Sequence, residues 1–130
     1  MKKMYDTNLR AGELRELQEE IRSFIKSLPD VERKPDPMSE EAYFYGLRNF
    51  AHFHGARHID IRLSSSKQEE ALRTGKALEH HYAPQLGWVS CILETKDHVD
   101  STRQLIKQAY DYCVAPNIPA KQVKQEKDRK

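Results

Sequence analysis

Apolar residues near the start of the chain recur at steps of three and four, a spacing that places them on one side of a helix. Polar and charged residues fill the positions between them, and Pro29 ends the pattern. We therefore expect an amphipathic helix over about residues 10–28 that docks on the rest of the fold. Its apolar stripe consists of Leu14, Leu17, Ile21, Phe24 and Leu28.

The segment after this helix has a different character. Pro29, Pro35 and Pro37 lie within residues 29–38, and proline fixes its own backbone angle and lacks an amide hydrogen. This composition predicts a rigid, Pro-rich linker with little secondary structure.

Short runs rich in aromatic and β-branched residues follow, which is typical of an antiparallel β-meander. The runs cover residues 42–45, 50–54 and 58–63. Gly46 and Gly55 lie in the turns that separate them. We therefore expect three short strands in succession.

The second half of the chain alternates between helical and strand patterns. Ser66 and Glu69 have the spacing of a capping box, which predicts a short helix that ends near Gly75. A strand over residues 88–93 comes next, and Asp97 then caps a long helix that Pro116 ends. The apolar stripe of that helix consists of Val99, Thr102, Ile106, Ala109, Tyr110 and Cys113.

This order of elements predicts the α+β class. We expect an antiparallel β-meander sheet with helices packed on one face, including long N-terminal and C-terminal helices. A chain of 130 residues has room for one domain of ordinary size, which we place at residues 1–117. Residues 118–130 are rich in Lys and Arg and are expected to form a flexible basic tail.

Charge, the N-terminal sequence and the cysteines indicate which partners and which cellular compartment to expect. The 22 Lys and Arg residues nearly balance the 20 Asp and Glu residues, so the net charge of +2 gives no general attractive field for nucleic acid. Lys2 and Lys3 are not followed by an apolar stretch, so we expect neither a signal peptide nor a membrane span. Cys91 and Cys113 lack CxxC spacing, and we interpret them as reduced, buried thiols of a cytoplasmic protein.

Five of the six histidines lie between residues 52 and 81. Imidazole titrates and binds metals near neutral pH, so this stretch is the strongest candidate for chemistry. The strand register decides whether the side chains meet, because residues opposite each other in an antiparallel pair share a face. A two-residue loop at Gly55 and Ala56 would mix apolar and polar groups on both faces.

A three-residue loop that includes Arg57 separates the two kinds of side chain. Phe53 then lies opposite Ile59, and Ala51 lies opposite Ile61. A one-residue slip would move these apolar groups into water, so we prefer the three-residue loop. The other face then pairs His54 with His58, His52 with Asp60, and Phe50 with Arg62.

The later strand should add to both faces. Val89, Cys91 and Leu93 are expected in the core, whereas Trp88 and Ser90 are expected to point toward the histidines.

A face of this composition has three interpretations. His52, His54 and Asp60 could bind zinc or iron with an open coordination position, and such a site could activate water. The same residues, with His81, could form a metal-free pocket that binds a small polar ligand or transfers protons. The third interpretation is a purely structural hydrogen-bonded network. Further candidate ligand-binding residues are His58, His80, Trp88 and Arg62.

Familiar catalytic and nucleotide-binding motifs are missing from the sequence. The chain contains no GxSxG frame, no GxGxxG or GKS/T loop and no HExxH motif. Nothing therefore indicates a nucleophile elbow, a glycine loop that binds nucleotides, or a zincin helix.

Several of these pieces resemble the luciferase-like domain, a small family. The similarity covers about residues 42–113, and its most specific parts are the His-x-His, His-His and Gly-Trp pairs. The pieces are Phe50-Ala51-His52-Phe53-His54, Ile59-Asp60-Ile61-Arg62-Leu63, Gly75-Lys76-Ala77-Leu78-Glu79-His80-His81, Gly87-Trp88-Val89-Ser90 and the helix from Leu105 to Tyr110.

The resemblance implies a luciferase-like domain protein, and we expect its sheet to carry a His/Asp pocket for a small polar ligand or a metal. The family name by itself does not indicate light emission. The order of elements is also similar to small double-wing proteins of the YjbR type, which are suspected of binding DNA. The alternative function is therefore a non-enzymatic module that binds nucleic acid or another protein.

Overall fold

The computed structural model describes residues 11–80 and 84–115, which form one open antiparallel sheet and three α-helices. The predicted α+β class is therefore confirmed. The elements in chain order are α1 (Ala11–Lys26), β1 (Val31–Asp36), β2 (Ser39–Tyr45), β3 (Arg48–Phe53), β4 (His58–Arg62), α2 (Ser65–Arg73), β5 (Leu78–Glu79), a short 3₁₀ helix (Pro84–Leu86), β6 (Trp88–Ile92) and α3 (Lys96–Val114).

The strands lie in the order β1-β2-β3-β4-β6-β5 across the sheet. The first four strands form the expected meander with one strand more than predicted. None of the three described helices is long and apolar enough to cross a membrane. The predicted domain boundary at residue 117 and the basic tail lie outside the described residues.

The prediction of a Pro-rich linker over residues 29–38 is wrong, because most of this segment forms the edge strand β1. Pro35 lies where the register with β2 shifts, between Lys34 and Asp36. Proline is tolerated at an edge or a bulge, where its missing amide hydrogen need not break the ladder. The sheet therefore begins one strand earlier than expected, and Asp36 becomes part of it.

Two helices begin slightly earlier than the sequence indicates. The hydroxyl of Ser64 accepts from the amide of Lys67, and the hydroxyl of Thr95 accepts from the amide of His98. The predicted caps Ser66 and Asp97 therefore lie inside the first turns of α2 and α3. A serine or threonine hydroxyl can satisfy an amide three residues ahead, so these earlier residues serve as the caps.

The apolar core lies between the sheet and the helices α1 and α3. Both predicted helical stripes supply it, and the predicted core residues of β6 and the loop after it are confirmed. Cys91 and Cys113 are buried free thiols, as expected. The fully buried aliphatic side chains are Ile21, Ile25, Ile59, Ile61, Val89, Leu93, Val99 and Ile106.

The register between β3 and β4 is the predicted one. The amide of His54 donates to the carbonyl of His58 at 2.9 Å, which closes the three-residue loop. A slip by one residue would expose Ile59 and Ile61, at a cost of roughly 3–6 kcal/mol for two buried side chains. The pairs are Ala51 with Ile61, His52 with Asp60, and Phe53 with Ile59.

A β-bulge in β3 corrects one part of the prediction. The register with β2 shifts between Tyr43 and Phe44, and the extra residue on β3 is Phe50. Phe50 is fully buried, with its ring centroid 6.2 Å from that of Tyr110 in α3. Phe50 therefore packs under the helix and does not face Arg62 on the histidine side.

A buried ion pair attaches α1 to the sheet. The Nε and Nη2 atoms of Arg22 donate to the two carboxylate oxygens of Glu41 at 2.7 and 3.0 Å, and the hydroxyl of Tyr43 donates to the same carboxylate. Burial alone would raise the pKa of Glu41. The hydrogen bonds and the charge of Arg22 outweigh burial, so the net pKa of Glu41 is lowered.

Replacing Glu41 with Gln should destabilise the fold by about 2 kcal/mol at pH 7, because charge-assisted hydrogen bonds are lost. A carboxyl with a lowered folded pKa stabilises the protein above its ordinary pKa of 4.5, and this stability is lost as the pH falls through the folded pKa. The difference between wild type and Glu41→Gln in urea unfolding should therefore shrink from pH 7 toward acid pH. Glu40→Gln is the matched control, since Glu40 is exposed on the same strand. A difference that is constant with pH would contradict this assignment.

Gly87 should be much less tolerant of substitution than Gly55, although both have positive φ angles of +97° and +85°. A Cβ atom on Gly87 would overlap the carbonyl oxygen of Leu63, whereas one on Gly55 would meet open space. Gly55→Ala should cost about 1–2 kcal/mol from backbone strain. Gly87→Ala should cost about 1–3 kcal/mol more, because overpacking adds to the strain. If both variants lose the same free energy of unfolding in urea, the close approach of Gly87 to Leu63 does not affect stability.

Candidate functional site

His52 lies between two carboxylates on the sheet face opposite α1 and α3. Its Nδ1 lies 2.9 Å from Oδ2 of Asp36, and its Nε2 lies 2.9 Å from Oδ2 of Asp60. The residue opposite His52 in β2 is Ala42. Its small side chain leaves room for Asp36 to reach across from β1. One imidazole thus joins the polar faces of three strands.

The charges of these three groups stabilise one another against the effect of burial. Burial alone would lower the pKa of His52 and raise the pKa values of Asp36 and Asp60. Three kinds of contact outweigh burial: hydrogen bonds from Asn49 and the amide of Met38 to Asp36, hydrogen bonds from His52 and Ser90 to Asp60, and Coulombic attraction between His52 and the two carboxylates. The net pKa of His52 is therefore raised, and the net pKa values of both carboxyls are lowered. A protonated His52 ring would donate from both nitrogens in this arrangement.

Asp60 is the centre of the cluster. Its Oδ1 accepts from the hydroxyl of Ser90 at 2.7 Å. Its Oδ2 lies 3.3 Å from Nε2 of His80 and 3.4 Å from Nδ1 of His54, in addition to its contact with His52. Three imidazoles therefore surround one carboxylate oxygen.

Trp88 forms one wall of this cluster. Its ring stacks on that of His52, with centroids 4.9 Å apart and an interplanar angle of 24°, and lies 6.0 Å from the ring of His80. Ser90 lies directly opposite Asp60 in the sheet. The prediction that Trp88 and Ser90 face the histidines is therefore confirmed.

The structure brings some of the predicted site residues together. Ligand atoms of His52, Asp60 and His80 all lie within 4.8 Å of one another. His80, predicted as a further ligand-binding residue and not as a metal ligand, is therefore part of this group. His54, predicted as a metal ligand, lies at the exposed edge outside this group. His58 is exposed on the same face and is also outside the group.

Arg62, another candidate, contacts the backbone. The Nε atom of Arg62 donates to the backbone carbonyl of Leu86 at 2.9 Å. The predicted catalytic residue His81 lies outside the described residues.

Sequence reasoning missed Asp36 and Asn49. Asp36 was assigned to the linker, although its Oδ1 accepts from the amide of Met38 and the Asp-Pro pair is a turn signal that could have marked a strand end. Asn49 donates from Nδ2 to Oδ2 of Asp36 at 2.5 Å, and its buried Oδ1 has no hydrogen-bond partner among the described residues. The bulge at Phe50, which no sequence signal indicated, turns Asn49 toward this face.

The spacing of these atoms suits a small metal ion. An ion bound tetrahedrally at 2.0–2.2 Å keeps its ligand atoms about 3.4 Å apart. The separations of 2.9, 3.3 and 3.4 Å around Oδ2 of Asp60 lie close to that value. Asp36 would then hold the Nδ1–H of His52, a hydrogen bond that orients metal-binding imidazoles in many proteins. Two imidazoles and one carboxylate can bind zinc or iron(II).

Comparison with known proteins identifies the segment that carries the cluster. Residues 47–109 match the family model described as the Luciferase domain. This segment includes the strands from β3 to β6, and it contains His52, Asp60 and His80 but not Asp36. No curated protein and no solved structure matches the chain. The resemblance to the luciferase-like domain that the sequence predicts is therefore confirmed over residues 47–109, the segment that holds most of the cluster.

Proposed function

We propose that the luciferase-like domain of this chain binds one divalent metal ion, zinc or iron(II), through His52, His80 and Asp60. The observation that carries the proposal is the convergence of two imidazoles and one carboxylate whose ligand atoms lie within 4.8 Å of one another. This donor set is typical of catalytic zinc and of mononuclear iron(II), which keep coordination positions for water or substrate.

Preorganisation supports this function. All three side chains are buried, and two of them are held by neighbours that would not themselves bind the ion. Asp36 orients the ring of His52, and Ser90 orients the carboxylate of Asp60. A site whose ligands are already fixed loses little conformational entropy when the ion binds.

Charge balance also favours a bound cation. Within residues 11–80 and 84–115, the ion-pair partners of Asp36 and Asp60 are imidazoles, with no Lys or Arg among them. Two buried carboxylates beside one protonated imidazole would leave an excess negative charge, which is costly to bury. If a divalent ion replaces the proton on Nε2 of His52, the net charge of the ion, His52, Asp36 and Asp60 becomes zero.

The bound ion would polarise a coordinated water or a substrate oxygen. The residues of this chain determine where the ion, and so the coordinated water or substrate oxygen, would lie. His52 and Asp60 hold the ion from β3 and β4, His80 holds it from the segment after β5, and Trp88 excludes water from the side of His52. A double-wing module that binds nucleic acid or protein stays a prediction, as does the cytoplasmic location.

Protein prepared without an affinity tag should bind close to one equivalent of Zn²⁺ or Fe²⁺ in calorimetric titration. An ion at a concentration 100 times its Kd should stabilise the fold by about 2.7 kcal/mol, seen as a rise in Tm. His80→Ala should lose most of this binding because one of three ligands is gone. His58→Ala is the matched control, an exposed histidine on the same face, and should bind as wild type does.

These titrations can also refute the proposal. Folded wild-type protein whose Tm does not rise with either ion has no metal site of this kind. Circular dichroism of each variant separates loss of the ligand from loss of the fold.

Asp36→Asn should weaken metal binding about 10–100-fold, because the hydrogen bond that orients His52 changes while the three ligands remain. Competition with a chelating indicator measures this change. Glu32→Gln, an exposed substitution on the same strand, should leave the affinity unchanged. If Asp36→Asn binds as tightly as wild type, then Asp36 does not act on the site through His52.

A further inference from the structure

We infer that this site has an exchangeable coordination position on its solvent side, which His54 occupies until a small nitrogen or oxygen donor displaces it. The inference rests on the proposed metal binding and deepens it, since it states how an outside ligand reaches the ion. It also gives a function to a histidine that lies outside the three-ligand group.

Exposure distinguishes His54 from the other histidines around Asp60. Its side chain is 53% exposed, whereas the side chains of His52, His80 and Asp60 are 5%, 8% and 1% exposed. Packing and hydrogen bonds fix the buried ligands, while a half-exposed imidazole keeps much of its rotamer freedom. An ion in the cluster would therefore be held firmly from within and loosely on the side of His54.

The position of the His54 ring fits a fourth ligand. Its Nδ1 lies 3.4 Å from Oδ2 of Asp60, which matches the separation of about 3.4 Å expected between two ligands of one tetrahedral ion. Its ring centroid lies 6.5 Å from that of His52 at an interplanar angle of 79°, so the two rings do not occupy the same space. His54 is not among the residues whose ligand atoms lie within 4.8 Å of one another. Its exposed side chain must therefore rotate before Nδ1 can bind the ion.

The backbone keeps the ring close while the side chain is free to turn. His54 follows the last residue of β3, and its amide donates to the carbonyl of His58 at 2.9 Å. The Cα atom of His54 is therefore fixed beside the cluster. A tethered imidazole of this kind has an effective concentration at the ion on the order of millimolar or more. It binds when the position is otherwise empty, and a better or more concentrated donor displaces it.

Cobalt(II) is the probe for this position, because its visible bands are intense in four-coordinate sites and weak in sites of higher coordination number. The full chain, as wild type, His54→Ala and His58→Ala, is titrated with Co²⁺ and then with imidazole. His58→Ala is the matched control because it removes an exposed histidine of the neighbouring strand that is outside the ligand group. Since both side chains are exposed, the two variants should keep the Tm of the wild type.

Wild type and His58→Ala should each bind one equivalent of Co²⁺ with intense bands. His54→Ala should still bind one equivalent, about 10-fold more weakly, with weak bands because more than one water molecule enters in place of the ring and raises the coordination number above four. Imidazole on the order of ten millimolar should restore the intense bands of His54→Ala, since it replaces the tethered ring at a comparable effective concentration. The spectra of wild type and His58→Ala should change little at that concentration.

Other outcomes overturn the inference in distinguishable ways. Identical Co²⁺ spectra for His54→Ala and wild type, unchanged by imidazole, would refute the role of His54 and leave the three-ligand site intact. Complete loss of Co²⁺ from a folded His54→Ala protein would make His54 an obligatory ligand and not an exchangeable one. Wild-type protein that binds no Co²⁺ would refute both this inference and the proposed function.

Discussion

One buried imidazole between two carboxylates is the interaction on which the rest of this structure depends. His52 contacts Asp36 on one side and Asp60 on the other, each at 2.9 Å. Removing three ionisable groups from water costs free energy, and this cost is offset because each nitrogen of the ring contacts a carboxylate oxygen. The pairing of β1, β2, β3 and β4 must therefore be correct before the cluster can exist, since a slip in any of them would bury an unpaired charge.

The two faces of the sheet perform separate tasks, and the β-bulge in β3 makes the separation possible. The extra residue, Phe50, turns toward α3 and adds an aromatic ring to the core, while Asn49 and His52 lie on the polar face. The helices then supply stability through aliphatic packing and through the Arg22–Glu41 pair. Because the helix-packed face supplies this stability, the opposite face of the sheet can hold polar groups whose arrangement would be unfavourable in a core.

The sequence could predict the part of the site that depends on alternation. Because apolar groups must share one face, the pattern of β3 and β4 indicated that His52 lies opposite Asp60. Asp36 could not be found in this way, because the edge strand Val31–Asp36 is mostly exposed and has no buried apolar alternation. His80 follows a strand of two residues, which is too short to show a period, so its approach to Asp60 depends on tertiary packing.

The boundary of the family match divides the candidate site into two parts. Residues 47–109 contain the three proposed ligands, whereas Asp36 belongs to β1, which lies before this segment. The chemistry of the proposed metal therefore comes from the luciferase-like segment, and β1 contributes the orientation of one ligand. β1 contacts the sheet through β2, where the small residue Ala42 lies opposite His52. In the proposed metal site, the N-terminal part of the chain would therefore orient a ligand without binding the ion. Loss of β1 would leave Nδ1 of His52 without its acceptor, and the ring would then be free to turn away from Asp60.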